Sequence, residues 1–271
     1  MKTRIVAAVV LLPLLLLVVL AAPKVCTAIL FAAMAAIAAY ELLSGTGLVK
    51  SLRLNIYSAV SAFWCALWCG LGLGYACLLL GILIFWVVLF AEMMYSQLKL
   101  TFDKIGICLV AGAALPLLLA SLVRIHGSAE GRFFILIPFV LAFLSDTGAY
   151  FAGLRFGKHK LAPVISPKKT VEGLVGGVLG AIVGMLIYCL VLDVLFGFET
   201  NYLFALVYGI LGSFAGVFGD LCFSVIKRQT GIKDYGNLIP GHGGILDRFD
   251  SMIVIGPLAE VLLILIPVAV R

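Results

Sequence analysis

The feature that most constrains this chain is a succession of apolar stretches with at most one charged residue each. Each is about the 20 residues a helix needs to cross a hydrocarbon core of roughly 30 Å. They fall at 5–22, 25–43, 54–71, 73–90, 104–122, 133–153, 171–192, 202–223 and 251–270. The composition agrees, because 64% of the 271 residues are apolar and only 12% charged, against roughly 45–50% and about 25% in soluble domains. A water-soluble globule, an intrinsically disordered chain and a small disulfide scaffold are all excluded. The expected fold is all-α, a polytopic integral membrane helical bundle of about nine transmembrane helices. The division of 54–90 into two spans rests on the cluster Gly70, Gly72 and Gly74.

The first stretch follows Lys2 and Arg4 and is longer than the ~7–15 residues of a signal-peptide core, so it is read as a retained first helix. The net charge of +6 comes from nineteen Lys and Arg against thirteen Asp and Glu. With the N-terminus in the cytoplasm, fifteen of the nineteen cations lie on that side, leaving Lys24, Arg124, Arg132 and Arg271 on the other. The positive-inside bias thus accounts for the cationic excess without a nucleic-acid partner, and it places connections 154–170 and 224–250 in the cytoplasm. The seven cysteines form no C-x-x-C pair and read as small apolar residues. Small residues recur four apart at Gly173 and Gly177, at Gly176, Gly180 and Gly184, at Gly209 and Ser213, and at Gly212 and Gly216, a spacing that lets helix backbones approach closely.

Ionisable groups inside a span are costly to insert and are functional candidates by default. Asp146 lies in the sixth stretch towards its cytoplasmic end, and Asp220 in the last turn or so of the eighth. Glu41, Glu92 and Glu260 are near span ends and are read as solvated or snorkelling carboxylates. On a helix, Asp220, Ser224, Lys227 and Arg228 follow i, i+4, i+7, i+8 and share one face, which lines one carboxylate up with two cations. Asp247, Arg248 and Asp250 come from the far flank of the same connection, so two helix ends bring acids towards one cytoplasmic mouth. Between them lie Lys233, Asp234, Pro240 and Gly241-His242-Gly243-Gly244, a turn whose backbone N–H groups could approach a phosphate closely. The other connection carries Arg155, Lys158, His159, Lys160, Lys168 and Lys169, the last two just before the seventh span. This collection suits transfer between phosphates: cations offset an anionic nucleotide, and carboxylates hold a divalent metal. Mg²⁺ is the metal expected, since it takes oxygen ligands and needs only one or two protein carboxylates besides substrate phosphates and water. Gly153 to His159 is not a Walker A loop, and no zinc-hydrolase or nucleophile-elbow motif is present.

Residues 224–250, SVIKRQTGIKDYGNLIPGHGGILDRFD, resemble the signature of phosphatidate cytidylyltransferases, also called CDP-diacylglycerol synthases. Ser224, Lys227, Arg228, Lys233, Asp234, Gly236, Pro240, His242, Gly243, Gly244, Asp247, Arg248 and Asp250 all stand in that family's order and spacing. The stretch SDTGAYFAGLRFGKHKLAPVISPKKTVEG at 145–173 is similar to the same family. The resemblance implies condensation of CTP with phosphatidate to give CDP-diacylglycerol and pyrophosphate, with Mg²⁺. It implies metal binding by Asp220 and Asp247, with Asp146, Lys168 and Lys169 in the same catalytic group. Arg155, Ser224, Lys227, Arg228, Lys233, His242, Gly243, Gly244 and Arg248 are then expected to bind substrate. The chain reads as one continuous membrane domain, with scaffold helices at 1–130 and a catalytic region at 131–271. A homodimer, and a bacterial inner membrane with the site facing the cytoplasm, complete the expectation. Two alternatives are a CTP-using enzyme acting on another lipid, such as a polyprenol kinase or a different lipid-phosphate cytidylyltransferase, and a secondary transporter. The second predicts charges near the midplane and two similar halves, whereas here the charges gather at one face of the C-terminal half.

Overall fold

The computed structural model describes residues 13–97, 99–241 and 243–271. Lys2, Arg4, residues 5–12 of the first expected span and the candidate His242 therefore lie outside the described residues. The described part of α1 covers 13–21. It is followed by α2 (Lys24–Thr46), α3 (Leu52–Leu71), α4 (Tyr75–Tyr95), α5 (Phe102–His126), α6 (Gly131–Phe156), α7 (Val171–Phe196) and α8 (Tyr202–Thr230). The short α9 (Leu246–Phe249) and α10 (Met252–Leu265) close the helical order. Strands β1 (Lys160–Ala162) and β2 (Ser166–Thr170) form a hairpin between α6 and α7, and β3 (Glu199–Thr200) pairs antiparallel with β4 (Ala269–Val270). Among the described residues seven helices, α2 to α8, are long and apolar enough to span a bilayer. The chain is an all-α polytopic membrane protein.

Local chemistry explains where these helices stop. Residues 54–90 do divide into two: α3 ends at Gly72 (φ +66°), Gly74 follows at φ +109°, and L side chains rarely adopt either conformation. The ninth expected span is helical over less of its length than expected: α10 has 14 residues, about 21 Å of helix, and the stretch is completed by non-helical residues that reach β4. Ile266 precedes Pro267, a position that disfavours helical backbone, and the chain leaves the helix there to end in β4. Within α5, Pro116 has no N–H to give to the carbonyl of Gly112. That carbonyl accepts the Ser61 hydroxyl of α3 instead (2.9 Å), and the helix opens into a π turn at Val110–Ala114.

The chain divides into two compact units, Met1–Phe133 with Lys227–Phe249, and Phe134–Ile226 with Asp250–Arg271. The core of the first is built by Ala28, Phe31, Ala32, Ala35 and Leu42 of α2, Ala62 and Cys65 of α3, and Ile105, Cys108 and Leu122 of α5. α4 buries only Phe85 and Leu89 and is apolar around its remaining face, as a helix bordering lipid should be. In the second unit α6 and α7 are in backbone contact. A Cβ added at Gly148 would fall on the carbonyl of Gly176, and one at Gly180 on that of Leu144. Gly209 packs on Ile182, Gly212 on Leu141 and Gly216 on Ile255. The small-residue stripes are thus consumed within one unit of one chain, and they do not argue for a homodimer. Ser145 of α6 and Ser213 of α8 share a buried hydrogen bond of 2.7 Å, which satisfies two hydroxyls that lipid could not.

Candidate functional site

In the unit that includes α6, α7 and most of α8, the connection 154–170 is ordered by its own polar groups. Thr170 accepts the N–H of Gly173 at 3.1 Å and caps α7, while β1 and β2 pair Lys160 with Thr170 and Ala162 with Ser166. Glu172 in the first turn of α7 accepts the N–H groups of Lys158 (3.1 Å) and His159 (3.2 Å) and lies 2.6 Å from His159 Nδ1. One carboxylate therefore ties the end of α6 to the start of α7. This positions Lys169 at the end of β2, where its ammonium pairs with Asp220 Oδ2 of α8 at 2.5 Å. Both side chains are about a quarter to a third exposed. Lys168 next to it is exposed, as are Asp146 on α6 and Arg155, whose guanidinium stacks 6.0 Å over Phe156. Ser224, one turn beyond Asp220, is buried.

The other unit contains Lys227–Phe249, centred on Asp247. This side chain is almost fully buried. Asp247 Oδ1 accepts the Lys227 ammonium at 3.0 Å, and Oδ2 accepts the N–H groups of Tyr235 (2.8 Å) and Gly244 (3.0 Å). Lys227 also lies 5.3 Å over the Tyr235 ring, a cation–π arrangement that helps to hold a partly buried ammonium. Gly241 and Gly243 have φ of +76° and +86°, and Ile239 donates to the Gly243 carbonyl at 2.9 Å. Arg228, Lys233 and Arg248 are exposed around this core.

Asp220, Ser224, Lys227 and Arg228 all lie on the continuous helix α8, and each carboxylate has its ammonium partner on another segment. Asp220 is paired with Lys169, and Lys227 with Asp247. The last residue of the glycine turn and the two that follow it give their amides to carboxylates of the chain. The N–H of Gly244 goes to Asp247, and those of Ile245 (3.1 Å) and Leu246 (2.9 Å) go to the two oxygens of Glu41 on α2. Glu41 is 6% exposed. It is a hydrogen-bonded buried group rather than a snorkelling one; in the sequence it passes for a span-end carboxylate, although a charge within the apolar run 25–43 is the signal that marks it.

The donor chemistry fits a hard cation that takes only part of its shell from protein. A carboxylate offers about four lone-pair positions; Asp247 uses three, and Asp220 has an ion-pair partner through one oxygen. Among the described residues no three His, Cys, Asp or Glu side chains stand together as a closed metal cage. An ion bound by one or two carboxylates plus phosphate and water oxygens matches this set.

Comparison with known proteins bears on the same residues. The cytidylyltransferase family matches residues 2–266. A phosphatidate cytidylyltransferase of Staphylococcus saprophyticus subsp. saprophyticus is 47% identical over 136 residues, covering 50% of this chain and 51% of the relative. Phosphatidate cytidylyltransferases of Staphylococcus haemolyticus and Staphylococcus aureus are each 44% identical over 136 residues, with the same coverage. The chain thus spans about half the length of the curated relatives it matches. With 265 consecutive residues accounted for by one family, out of 271, the chain belongs to the cytidylyltransferase family.

Proposed function

We propose that the chain is a phosphatidate cytidylyltransferase that condenses CTP with phosphatidate to CDP-diacylglycerol and pyrophosphate. The observation that carries this reading is the pair of carboxylate–lysine couples, Lys169 with Asp220 and Lys227 with Asp247; Lys169, Lys227 and Asp247 stand in segments that resemble the family signature, and Asp220 one helical turn before the second of them. Each couple is a cation for a phosphate oxygen joined to a carboxylate for a metal.

The phosphatidate head group is a phosphate monoester with a second pKa near 6, so at neutral pH it is largely dianionic and needs no general base. One of its oxygens attacks the α-phosphorus of CTP in line. The bond from the α-phosphorus to the bridging oxygen breaks, and pyrophosphate leaves with the electron pair. Lys168, Lys169, Lys227, Arg228 and Arg248 hold phosphates by charge-assisted hydrogen bonds. Arg155, Ser224, Lys233 and His242 are the remaining substrate-binding candidates, Asp146 joins the catalytic group, and Gly243 and Gly244 shape the turn. Mg²⁺ is the proposed cofactor, with Asp220 and Asp247 as its candidate ligands, and when bound it supplies charge neutralisation of the phosphate oxygens. The acyl chains remain in the bilayer and CTP arrives from the cytoplasm of a bacterium, across the face to which the cationic connections are assigned.

The test is incorporation of CMP from α-labelled CTP into chloroform-soluble lipid by the purified chain with phosphatidate, with and without Mg²⁺. Label in CDP-diacylglycerol that depends on both is the expected result. Transfer of label from the γ position instead identifies a lipid kinase. No transfer of either kind by folded protein overturns the reading.

A further inference from the structure

We propose that Glu41 is a positioning residue for the signature loop: from α2, its carboxylate holds Gly236, Gly244, Ile245 and Leu246 so that Asp247 and Lys227 stay in register. This rests on the reading of 224–250 as part of the reacting site. Three observations within one unit converge on it. First, both Glu41 oxygens are used on the loop, Oε1 accepting the N–H of Ile245 and Oε2 that of Leu246. Second, the glycines of the loop are moulded around this side chain. A Cβ at Gly236 or at Gly244 would fall on the Glu41 carboxylate, although neither glycine has a positive φ. Third, the rest of α2 supports the same segment: a Cβ at Gly45, one turn on, would meet the Tyr235 carbonyl, and the Phe31 ring packs edge-on against Phe249 at 6.3 Å.

The chemistry gives the arrangement its purpose. Three successive amides, those of Gly244, Ile245 and Leu246, point at two carboxylates, Asp247 and Glu41. Asp247 alone secures the loop at Tyr235 and Gly244, and it is also the group asked to meet substrate or metal. Glu41 secures the next two residues without meeting substrate, so that Asp247 can change partners while the loop stays in place. Replacing Glu41 by Gln keeps the volume but sets an NH₂ donor against an N–H donor, and a buried donor left unmatched is costly.

Two measurements on the full chain in detergent test this: amide hydrogen exchange, and steady-state turnover with CTP and phosphatidate. In Glu41→Gln, exchange across 235–249 is expected to speed up by about tenfold or more, with α3 and α5 as protected as before. The kcat is expected to fall by about tenfold or more while the KM for phosphatidate stays within about twofold. Gly236→Ala, which presses on the same carboxylate from the loop side, is expected to reproduce both effects and serves if the Glu41 variant does not fold. Unaltered exchange across 235–249 in the folded variants overturns the proposal. So does a rise spread evenly over α2, α3 and the loop, which makes Glu41 a support of helix packing only. The exchange measurement needs no substrate, so failure of the unaltered chain to turn over sinks the proposed activity and leaves the exchange result standing.

Discussion

Asp247 and Asp220 carry the same functional group in very different settings, and single substitutions should separate what each does. Asp247 is buried with Lys227 as its ion-pair partner and two backbone N–H groups on its other oxygen. Removing one member of a buried pair strands the other, at a cost of about 3 kcal/mol or more. Asp247→Ala is therefore expected to lose both stability and turnover, read by thermal unfolding in detergent beside the CMP-incorporation assay. Near-normal Mg²⁺-dependent turnover in Asp247→Asn would remove it as a ligand of consequence. The Lys169–Asp220 pair is partly exposed, and such pairs contribute about 1 kcal/mol or less. Lys169→Ala should leave the unfolding midpoint almost unchanged and still lower turnover by more than about tenfold. A variant that unfolds early but turns over normally would reverse that assignment.

Among the helices, glycine acts in two opposite ways, and alanine substitution distinguishes them. Gly148 and Gly180 let α6 and α7 touch backbone to backbone, so that an added methyl meets a carbonyl on the facing helix. Gly148→Ala and Gly180→Ala must separate two helices that lipid cannot otherwise hold together, and each is expected to destabilise by roughly 1–3 kcal/mol. Gly106 in α5 has nothing within 4 Å of where its Cβ would stand. There the gain in helix propensity, up to about 1 kcal/mol, is unopposed. Unfolding of the three variants in graded denaturing detergent should therefore show losses for the first two and no loss for Gly106→Ala.

For the whole molecule, charge placement and substrate ionisation set the expected behaviour. With fifteen of nineteen cations assigned to one side, cysteines introduced at Lys158 and Lys233 should react with a membrane-impermeant thiol reagent in inside-out vesicles and stay protected in intact cells. Labelling of either one in intact cells would contradict the orientation. The nucleophile proposed is a dianionic phosphate monoester with a pKa near 6. Turnover should accordingly be maintained above about pH 7 and fall as the pH drops through about 6, because protonation removes the attacking dianion. A flat profile from pH 5 to 8 would point to a step other than this attack as limiting.

The sequence by itself determined the succession of helices, the break at Gly72 and Gly74, the cationic connections and the signature at 224–250. Hydropathy, turn chemistry and charge are properties of short segments, and they are read locally. It overran at the last span, because an apolar composition continues past Ile266 while Pro267 ends the helix. The partners within the candidate site were not legible. Lys227 and Asp247 are 20 residues apart in the chain, and Glu41 and Leu246 are 205 apart. Helical periodicity names neighbours three and four residues away; it placed Asp220 on one face with cations of its own helix and named a partner for neither carboxylate. Only the tertiary structure decided which lysine each carboxylate holds, and that the amides of Gly244, Ile245 and Leu246 go to Asp247 and Glu41. In each case the reason is the same: a buried polar group takes the partner that packing brings within hydrogen-bond reach, and packing joins residues remote in sequence.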